Sequence, residues 1–149
     1  GRPLPFLASL DRHVEDESGA WDVRMFGLLV PQYPDGSPWE RAFGWRFLDP
    51  YETAAAIARR TPPSTTLIAL SHLGLRADRE LARRVPRLDL VLGGHSHDTL
   101  HSPQYVGSVP IVHAGPYGEY VSRTELVRDG TRARIDSFAL LPLLTATAR

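Results

Sequence analysis

Three residue types are missing from this 149-residue chain, and each absence restricts the chemistry it can support. There is no cysteine, which excludes disulfides and thiolate ligands, so any metal site must be built from histidine and oxygen ligands. There is no asparagine and no lysine, and all 17 basic residues are therefore arginine. The lack of thermolabile Asn and Cys indicates a heat-adapted or GC-rich source.

Net charge and long apolar segments are missing as well. Seventeen basic and 17 acidic residues give a formal net charge of zero, which argues against nucleic-acid or membrane binding driven by bulk charge. No apolar run approaches the roughly 20 residues needed to span a bilayer. The length and the 42% hydrophobic content suit one globular domain with a buried core, and they leave the cellular compartment open.

The order of elements predicted from hydrophobic periodicity and turn residues indicates an α/β fold. Strands and helices alternate over the first two thirds of the chain, which favours parallel strands joined by helical crossovers. Asp49, followed by Pro50 and Glu52, is expected to cap the first helix. The predicted segments are a strand over 4–10, an acidic turn over 14–19, a strand over 21–30, an aromatic-rich loop over 32–47 whose rings anchor over the sheet, a helix from 49 to 60, a strand over 66–70, a helix over 77–85 and a strand over 88–92.

The last third of the chain has a different pattern. Three strand-like runs, over 109–113, 120–127 and 133–141, follow one another. The Asp129-Gly130 dipeptide between the last two runs is a strong hairpin signal. We therefore expect an α/β fold with a mixed sheet and an antiparallel C-terminal part.

The most informative segment is LDLVLGGHSH, residues 88–97. A short apolar strand ends at Gly93 and Gly94, which permit a sharp turn and leave room for close approach. His95 and His97 follow, and residues two apart in an extended segment point to the same side. We therefore expect both imidazoles to face one site at the end of a strand, where open α/β sheets place their active sites.

A third histidine, His72, follows the preceding predicted strand. If the two strands are parallel neighbours, His72, His95 and His97 lie at the same edge of the sheet. Imidazole suits Zn, Fe and Mn ions. Three such ligands fit either a mononuclear catalytic site with an open water position or part of a two-metal site that binds a phosphoryl group.

These segments resemble a known family. The SHLG sequence at 71–74, Asp78, and residues 88–97 and 112–121 are similar to the second half of a calcineurin-like metallophosphoesterase domain. The nearest group is that of the 5'-nucleotidases and 2',3'-cyclic phosphodiesterases. The resemblance implies a β-sandwich flanked by helices, an extracytoplasmic location and hydrolysis of a small-molecule phosphate ester, in this group a nucleotide.

The expected site residues follow from the same resemblance. His72 and His95 would bind one divalent ion and His97 a second, the ions being Mn, Zn, Fe or similar. The family also needs Asp-x-His, Gly-Asp and Gly-Asn-His motifs upstream of these histidines. The chain has no Asn and no Gly-Asp dipeptide, and Gly1 aligns just after the third motif. We therefore expect one domain over 1–149 that is truncated at its N-terminus, carries part of the site and is inactive alone.

Other polar residues have simpler interpretations. Asp11 and His13 form an Asp-x-His sequence that is an alternative source of the missing ligands, although a solvated turn is the simpler interpretation. The remaining expectations are that His101 and His113 lie at the surface or support the site, that Asp89 and Asp98 lie in turns, and that Asp78 favours a helix N-terminus.

Three functions are compatible with the sequence. The first is a metal-dependent phosphoric ester hydrolase acting on nucleotides. The second is a degenerate or truncated domain that serves as a non-catalytic metal-binding or interaction module, and the third is a thiosulfohydrolase-like relative of the same fold. Because a truncated sheet exposes edges and apolar faces, we expect self-association or contact with a missing N-terminal segment.

Overall fold

A computed structural model gives the structure of residues 8–16 and 19–143. Residues 4–7 of the predicted strand over 4–10 therefore lie outside the described residues. Within the described ranges no helix combines the length and the apolar character needed to cross a bilayer. The strands are β1 (Ser9–Asp16), β2 (Gly19–Leu29), β3 (Thr66–His72), β4 (Leu90–Gly93), β5 (Gln104–Val106), β6 (Val109–His113), β7 (Tyr120–Asp129) and β8 (Arg132–Pro142), and the helices are α1 (Pro38–Phe43), α2 (Pro50–Arg60) and α3 (Leu75–Arg84).

Six strands form one mixed sheet in the order β1-β2-β3-β4-β6-β5. Strands β2, β3, β4 and β6 are parallel, while β1 and β5 pair antiparallel at the two edges. The predicted α/β fold with a mixed sheet is confirmed. The assignment of 109–113 to the antiparallel part holds on one side only, because β6 pairs antiparallel with β5 but parallel with β4. All five residues of β6 are buried, as is typical of a central parallel strand.

Different elements cover the two faces of the sheet. Helices α2 and α3 pack on one face around Phe26, Leu67 and Val91, which are at most 1% exposed. The antiparallel β7–β8 hairpin, predicted from its Asp-Gly turn, packs on the other face over Ile68 and Leu90. The result is the predicted sandwich with helices on its outside.

The hairpin leaves part of its face of the sheet open. Leu70 follows Ile68 by two residues in β3, and Leu29 follows Met25 by four in β2, so alternation places both on the hairpin face. Leu70 is 45% exposed and Leu29 is 52% exposed. The two edges are protected, because β1 is rich in charged residues and β5 has only three residues. Within the described residues, the uncovered surface is therefore an apolar face rather than an edge.

Local sequence explains where the helices begin. Asp49 caps α2 as predicted, since its carboxylate accepts bonds from the amides of Tyr51 and Glu52 at 2.8 and 2.9 Å. The uninterrupted loop predicted over 32–47 is wrong, because the short helix α1 forms inside it. Ser37 caps α1 and Pro38 occupies its first position, the same chemistry that starts α2.

The aromatic rings around α1 form a ladder. Successive ring centroids from Tyr33 through Trp39 and Phe43 to Trp45 are each 5.9 Å apart. The last three of these side chains are between 53% and 55% exposed. The expectation that they anchor over the sheet is therefore wrong: the rings pack on one another.

The acidic turn predicted over 14–19 is wrong for residues 14–16, which belong to β1. This strand is in register with β2 from Ser9–Phe26 to Asp16–Gly19. Its polar sequence resembles that of a turn, but pairing with a neighbouring strand overrides the local preference. Residues 17 and 18 lie outside the described part of the chain.

Candidate metal site at the carboxyl edge of the sheet

The parallel pairing of β3 and β4 brings two of the predicted histidines together. The strands are in register from Ile68–Leu90 to Ser71–Gly93. His72 is the last residue of β3, and His95 lies two residues beyond the end of β4. The two ring centroids are 5.0 Å apart at an interplanar angle of 66°, and both residues are exposed. Two imidazoles therefore meet at the carboxyl edge of the sheet, as the sequence predicts.

His97 contacts a different ring. Its ring centroid lies 5.0 Å from that of Tyr117, in an edge-to-face arrangement. The loop that carries His95 and His97 is not extended, since φ is 80° at His95 and 61° at His97, so the backbone geometry from which a shared site was predicted does not hold. Left-handed backbone is uncommon at residues other than glycine and concentrates at functional sites. The alternation of side chains in a strand does not apply to such a loop.

Gly93 and Gly94 are needed for space rather than for backbone angles, since neither has a positive φ. A Cβ on Gly93 would lie 2.0 Å from Nε2 of His113 and 2.3 Å from Oδ2 of Asp78. A Cβ on Gly94 would lie 3.4 Å from Nδ1 of His72. The predicted close approach is therefore confirmed, and the approaching groups belong to the same chain.

A buried polar chain lies directly behind Gly93. The hydroxyl of Ser71 donates to Oδ1 of Asp78, and Nε2 of His113 lies 2.7 Å from Oδ2 of the same carboxylate. Asp78 is 0% exposed and His113 is 1% exposed. These residues come from β3, α3 and β6. Asp78 therefore does more than favour a helix N-terminus, and His113 supports the edge from inside the protein.

Ser96 makes a contact that the sequence analysis missed. Gly74 precedes α3 and offers no side-chain cap, and the amide of Leu75 instead donates to Oγ of Ser96 at 2.9 Å. Ser96 also donates to Asp98. The histidine-bearing loop thus caps α3 from a distant part of the chain. The available sequence signal was the lack of a capping residue before α3.

A cavity of about 650 Å³ opens beside His95. Its walls include Tyr51 from α2 and Arg76 and Arg83 from α3. This volume lies within the range of small-molecule sites. Glu80 also lines the cavity and forms an ion pair with Arg83. Arg76 is therefore the wall arginine best suited to an anionic ligand, because a guanidinium group forms strong charge-assisted hydrogen bonds with such groups.

Asp11 and His13 lie at the opposite end of the sheet. Asp11 in β1 pairs with Arg24 in β2, and Arg24 is in register with Leu67 in β3. Leu67 precedes His72 by five residues, which is about 16 Å along the strand. Arg24 donates to both carboxylate oxygens at 2.7 and 2.9 Å, which holds the pKa of Asp11 below its ordinary value. His13 lies 2.8 Å from Asp22, and this hydrogen bond raises the pKa of His13. Asp11 and His13 form cross-strand ion pairs. They therefore do not lie in a turn, and they are too far from His72 to be ligands of the same ion.

Asp89 is a second buried carboxylate, just before β4, and it is 1% exposed. Its Oδ2 accepts bonds from the amide of Leu67 at 2.8 Å and from Arg87 at 2.9 Å. Its Oδ1 lies 2.7 Å from Nε of Arg132, an ion pair without an aligned hydrogen bond. The expectation that Asp89 lies in a solvated turn is wrong, because its charge joins the sheet to the β8 strand of the hairpin.

The donor set at the carboxyl edge suits part of a metal site. His72 and His95 offer two exposed imidazoles, which are good ligands for Zn, Fe and Mn. Over residues 8–16 and 19–143, no three His, Asp or Glu side chains come together around one point that would hold an ion. These residues therefore fit two ligands of one ion, and other groups would have to complete its coordination.

Known proteins share this fold and sequence pattern, although no family model matches the chain. The chain is 29% identical over 126 residues to the uncharacterized metallophosphoesterase YunD of Bacillus subtilis, covering 84% of this chain and 26% of YunD. A crystal structure of a 5'-nucleotidase precursor from Thermus thermophilus matches 89% of this chain and 29% of its own, with 25% identity and a TM-score of 0.69. The sulfate thiohydrolase SoxB of Thermus thermophilus matches 95% of this chain and 26% of its own, with 26% identity and a TM-score of 0.66.

The chain is thus similar in fold and sequence to proteins named as a metallophosphoesterase and a 5'-nucleotidase. The chain is related to the calcineurin-like metallophosphoesterases of the 5'-nucleotidase group, which confirms the resemblance predicted from residues 71–74 and 88–97. It spans about a quarter of the length of these relatives.

Proposed function

We propose that this chain is part of a metal-dependent phosphoric ester hydrolase that acts on nucleotides. The observation that carries the proposal is the pair of imidazoles, His72 and His95, at the carboxyl edge of the sheet. Similarity to a protein named as a metallophosphoesterase and to a 5'-nucleotidase supports the phosphate-ester class. The cavity beside His95, with Arg76 in its wall, supports an anionic substrate.

The histidines have separate roles in this proposal. His72 and His95 would hold one divalent ion, and His97, which is turned toward Tyr117, would hold a second. Such ions supply positive charge to the phosphoryl group and lower the pKa of the attacking water. Arg76, on the wall of the cavity, would attract the substrate by its charge. Mn, Zn and Fe all suit imidazole ligands.

We further propose that residues 1–149 form one domain and that the remaining ligands lie upstream of Gly1. Two observations support this: no third ligand joins His72 and His95 among the described residues, and Leu29 and Leu70 leave an apolar face uncovered. Sequence encoded before Gly1 should contain Asp-x-His, Gly-Asp and Gly-Asn-His motifs, and their absence would overturn this part of the proposal. The precursor form of the related 5'-nucleotidase supports an extracytoplasmic location.

The test is hydrolysis of AMP, a 2',3'-cyclic nucleotide and a sulfur ester by the complete protein. We expect His72→Ala, His95→Ala and His97→Ala each to abolish hydrolysis of AMP. His101→Ala is the matched control, because His101 is exposed in the same region and should leave the rate unchanged. Full activity in the His95→Ala variant would refute the assignment.

A second candidate function has a specific observation in its favour. The similarity to SoxB covers 95% of this chain, and that protein is named as a sulfate thiohydrolase. Hydrolysis of the sulfur ester without hydrolysis of either nucleotide would favour this function. Zn²⁺ binding by the complete protein without hydrolysis of any of the three substrates would instead favour a non-catalytic metal-binding or interaction module.

A further inference from the structure

We propose that the buried chain formed by Ser71, Asp78 and His113 is a positioning device that sets the spacing between His72 and His95. The inference rests on the proposed function, because that function assigns an ion to these two imidazoles. None of the three buried residues would touch the ion or the substrate. Their role would be to fix the backbone from which the two ligands extend.

The buried chain is attached to both segments that carry the ligands. Ser71 is adjacent to His72, and it is in register with Gly93 on the neighbouring strand. Gly93 is in turn in register with His113 on the far side of β4. Asp78 reaches in from α3 and bonds to both Ser71 and His113. Three strands and one helix are therefore joined at one point, two residues before His95.

The attachment is tight around His72. The hydroxyl of Ser71 donates to Asp78 and accepts the amide of Leu73 at 3.3 Å, so its bonds hold the backbone on both sides of His72. Asp78 is 0% exposed, so bulk solvent does not reach it to replace a lost partner. Breaking the hydrogen bonds among Ser71, Asp78 and His113 would leave buried polar groups unsatisfied, so the three side chains strongly prefer one geometry.

The attachment is equally tight around the segment that leads to His95. The side chains of Asp78 and His113 occupy the space where a Cβ on Gly93 would lie, so the end of β4 cannot move toward α3. On the other side, Ser96 accepts the amide of Leu75 at the start of α3. The segments on both sides of the ligand pair are thus fixed to the same helix.

The test is titration of the full chain with Zn²⁺ by calorimetry, together with NMR of the imidazole rings. In Asp78→Asn we expect Zn²⁺ affinity to fall about tenfold, and the ring resonances of His72 and His95 to shift before metal is added. The matched control is Asp89→Asn, which alters an equally buried carboxylate at the other end of the sheet. Asp89→Asn should lower thermal stability and leave the Zn²⁺ affinity and the ring resonances of His72 and His95 unchanged.

Ser71→Ala is a second variant that keeps the charges and removes the two hydrogen bonds of the Ser71 hydroxyl, to Asp78 and from the Leu73 amide. It replaces Asp78→Asn if that variant fails to fold. Weakened Zn²⁺ binding in either variant, with normal binding in Asp89→Asn, supports the proposal. Wild-type affinity and ring resonances in the folded variants would overturn it. His72→Ala separates the two levels: unchanged Zn²⁺ binding in that variant overturns the proposed metal site itself, and with it the positioning role.

Discussion

The two ends of the parallel sheet each hold a fully buried aspartate and use it in different ways. At the amino end Asp89 lies between Arg87 and Arg132, so its charge is compensated by cations and joins the hairpin to the sheet. At the carboxyl end Asp78 bonds to His113 and fills the space beside Gly93, where the turn that leads to the exposed histidines begins. Burial of a carboxylate therefore does not distinguish a structural site from a functional one. The segments that its partners hold in place make the difference.

The largest effect is expected at the amino end. Asp89→Ala leaves two arginines without their counter-charge and the amide of Leu67 without its acceptor, which should cost about 3–5 kcal/mol in the free energy of unfolding. Urea denaturation followed by circular dichroism measures this loss. The control is Asp136→Ala, which removes a 53% exposed carboxylate 3.6 Å from Arg134 and should have no measurable effect. Equal stability of the two variants would contradict the structural role of Asp89.

An intermediate effect is expected at the carboxyl end. Gly93→Ala places a methyl group 2.0 Å from His113 and 2.3 Å from Asp78, which should cost about 1–3 kcal/mol and weaken Zn²⁺ binding. Thermal unfolding and Zn²⁺ titration measure the two losses. Gly27→Ala is the matched control, because Gly27 also lies in a strand but has no atom within 4 Å of the added Cβ. If both variants behave alike, the space behind Gly93 is not restricted.

The smallest effect concerns His13 and Asp22, an exposed His–Asp pair near the amino end. The hydrogen bond to Asp22 raises the pKa of His13 above 6.5, so the pair stabilises the fold fully below that pH and loses its contribution as the pH rises through the raised pKa. NMR titration of the His13 ring should give a midpoint above 6.5. Asp22→Asn should lower that midpoint, and an unchanged value would rule out the bond as the cause.

Local patterns predicted the elements that place the site. The apolar runs of β3 and β4, and the two glycines, were enough to predict that His72 and His95 meet. The direction of His97 could not be predicted, because it depends on left-handed backbone at His95 and at His97 itself. The same limit applies to the bond between Asp78 and His113, which are 35 residues apart. Such a contact exists only once the strands have been ordered in the sheet.

The bond between the Leu75 amide and Ser96 makes the first turn of α3 depend on a loop 21 residues further along the chain. Segments that share a hydrogen bond of this kind open as one cooperative unit. Hydrogen exchange at the Leu75 amide therefore reports whether the loop at 95–98 is ordered. During folding, α3 can complete its N-terminus only after β4 and the loop beyond it have reached the sheet edge. The cap of the helix therefore forms after the strand that follows the helix in the chain.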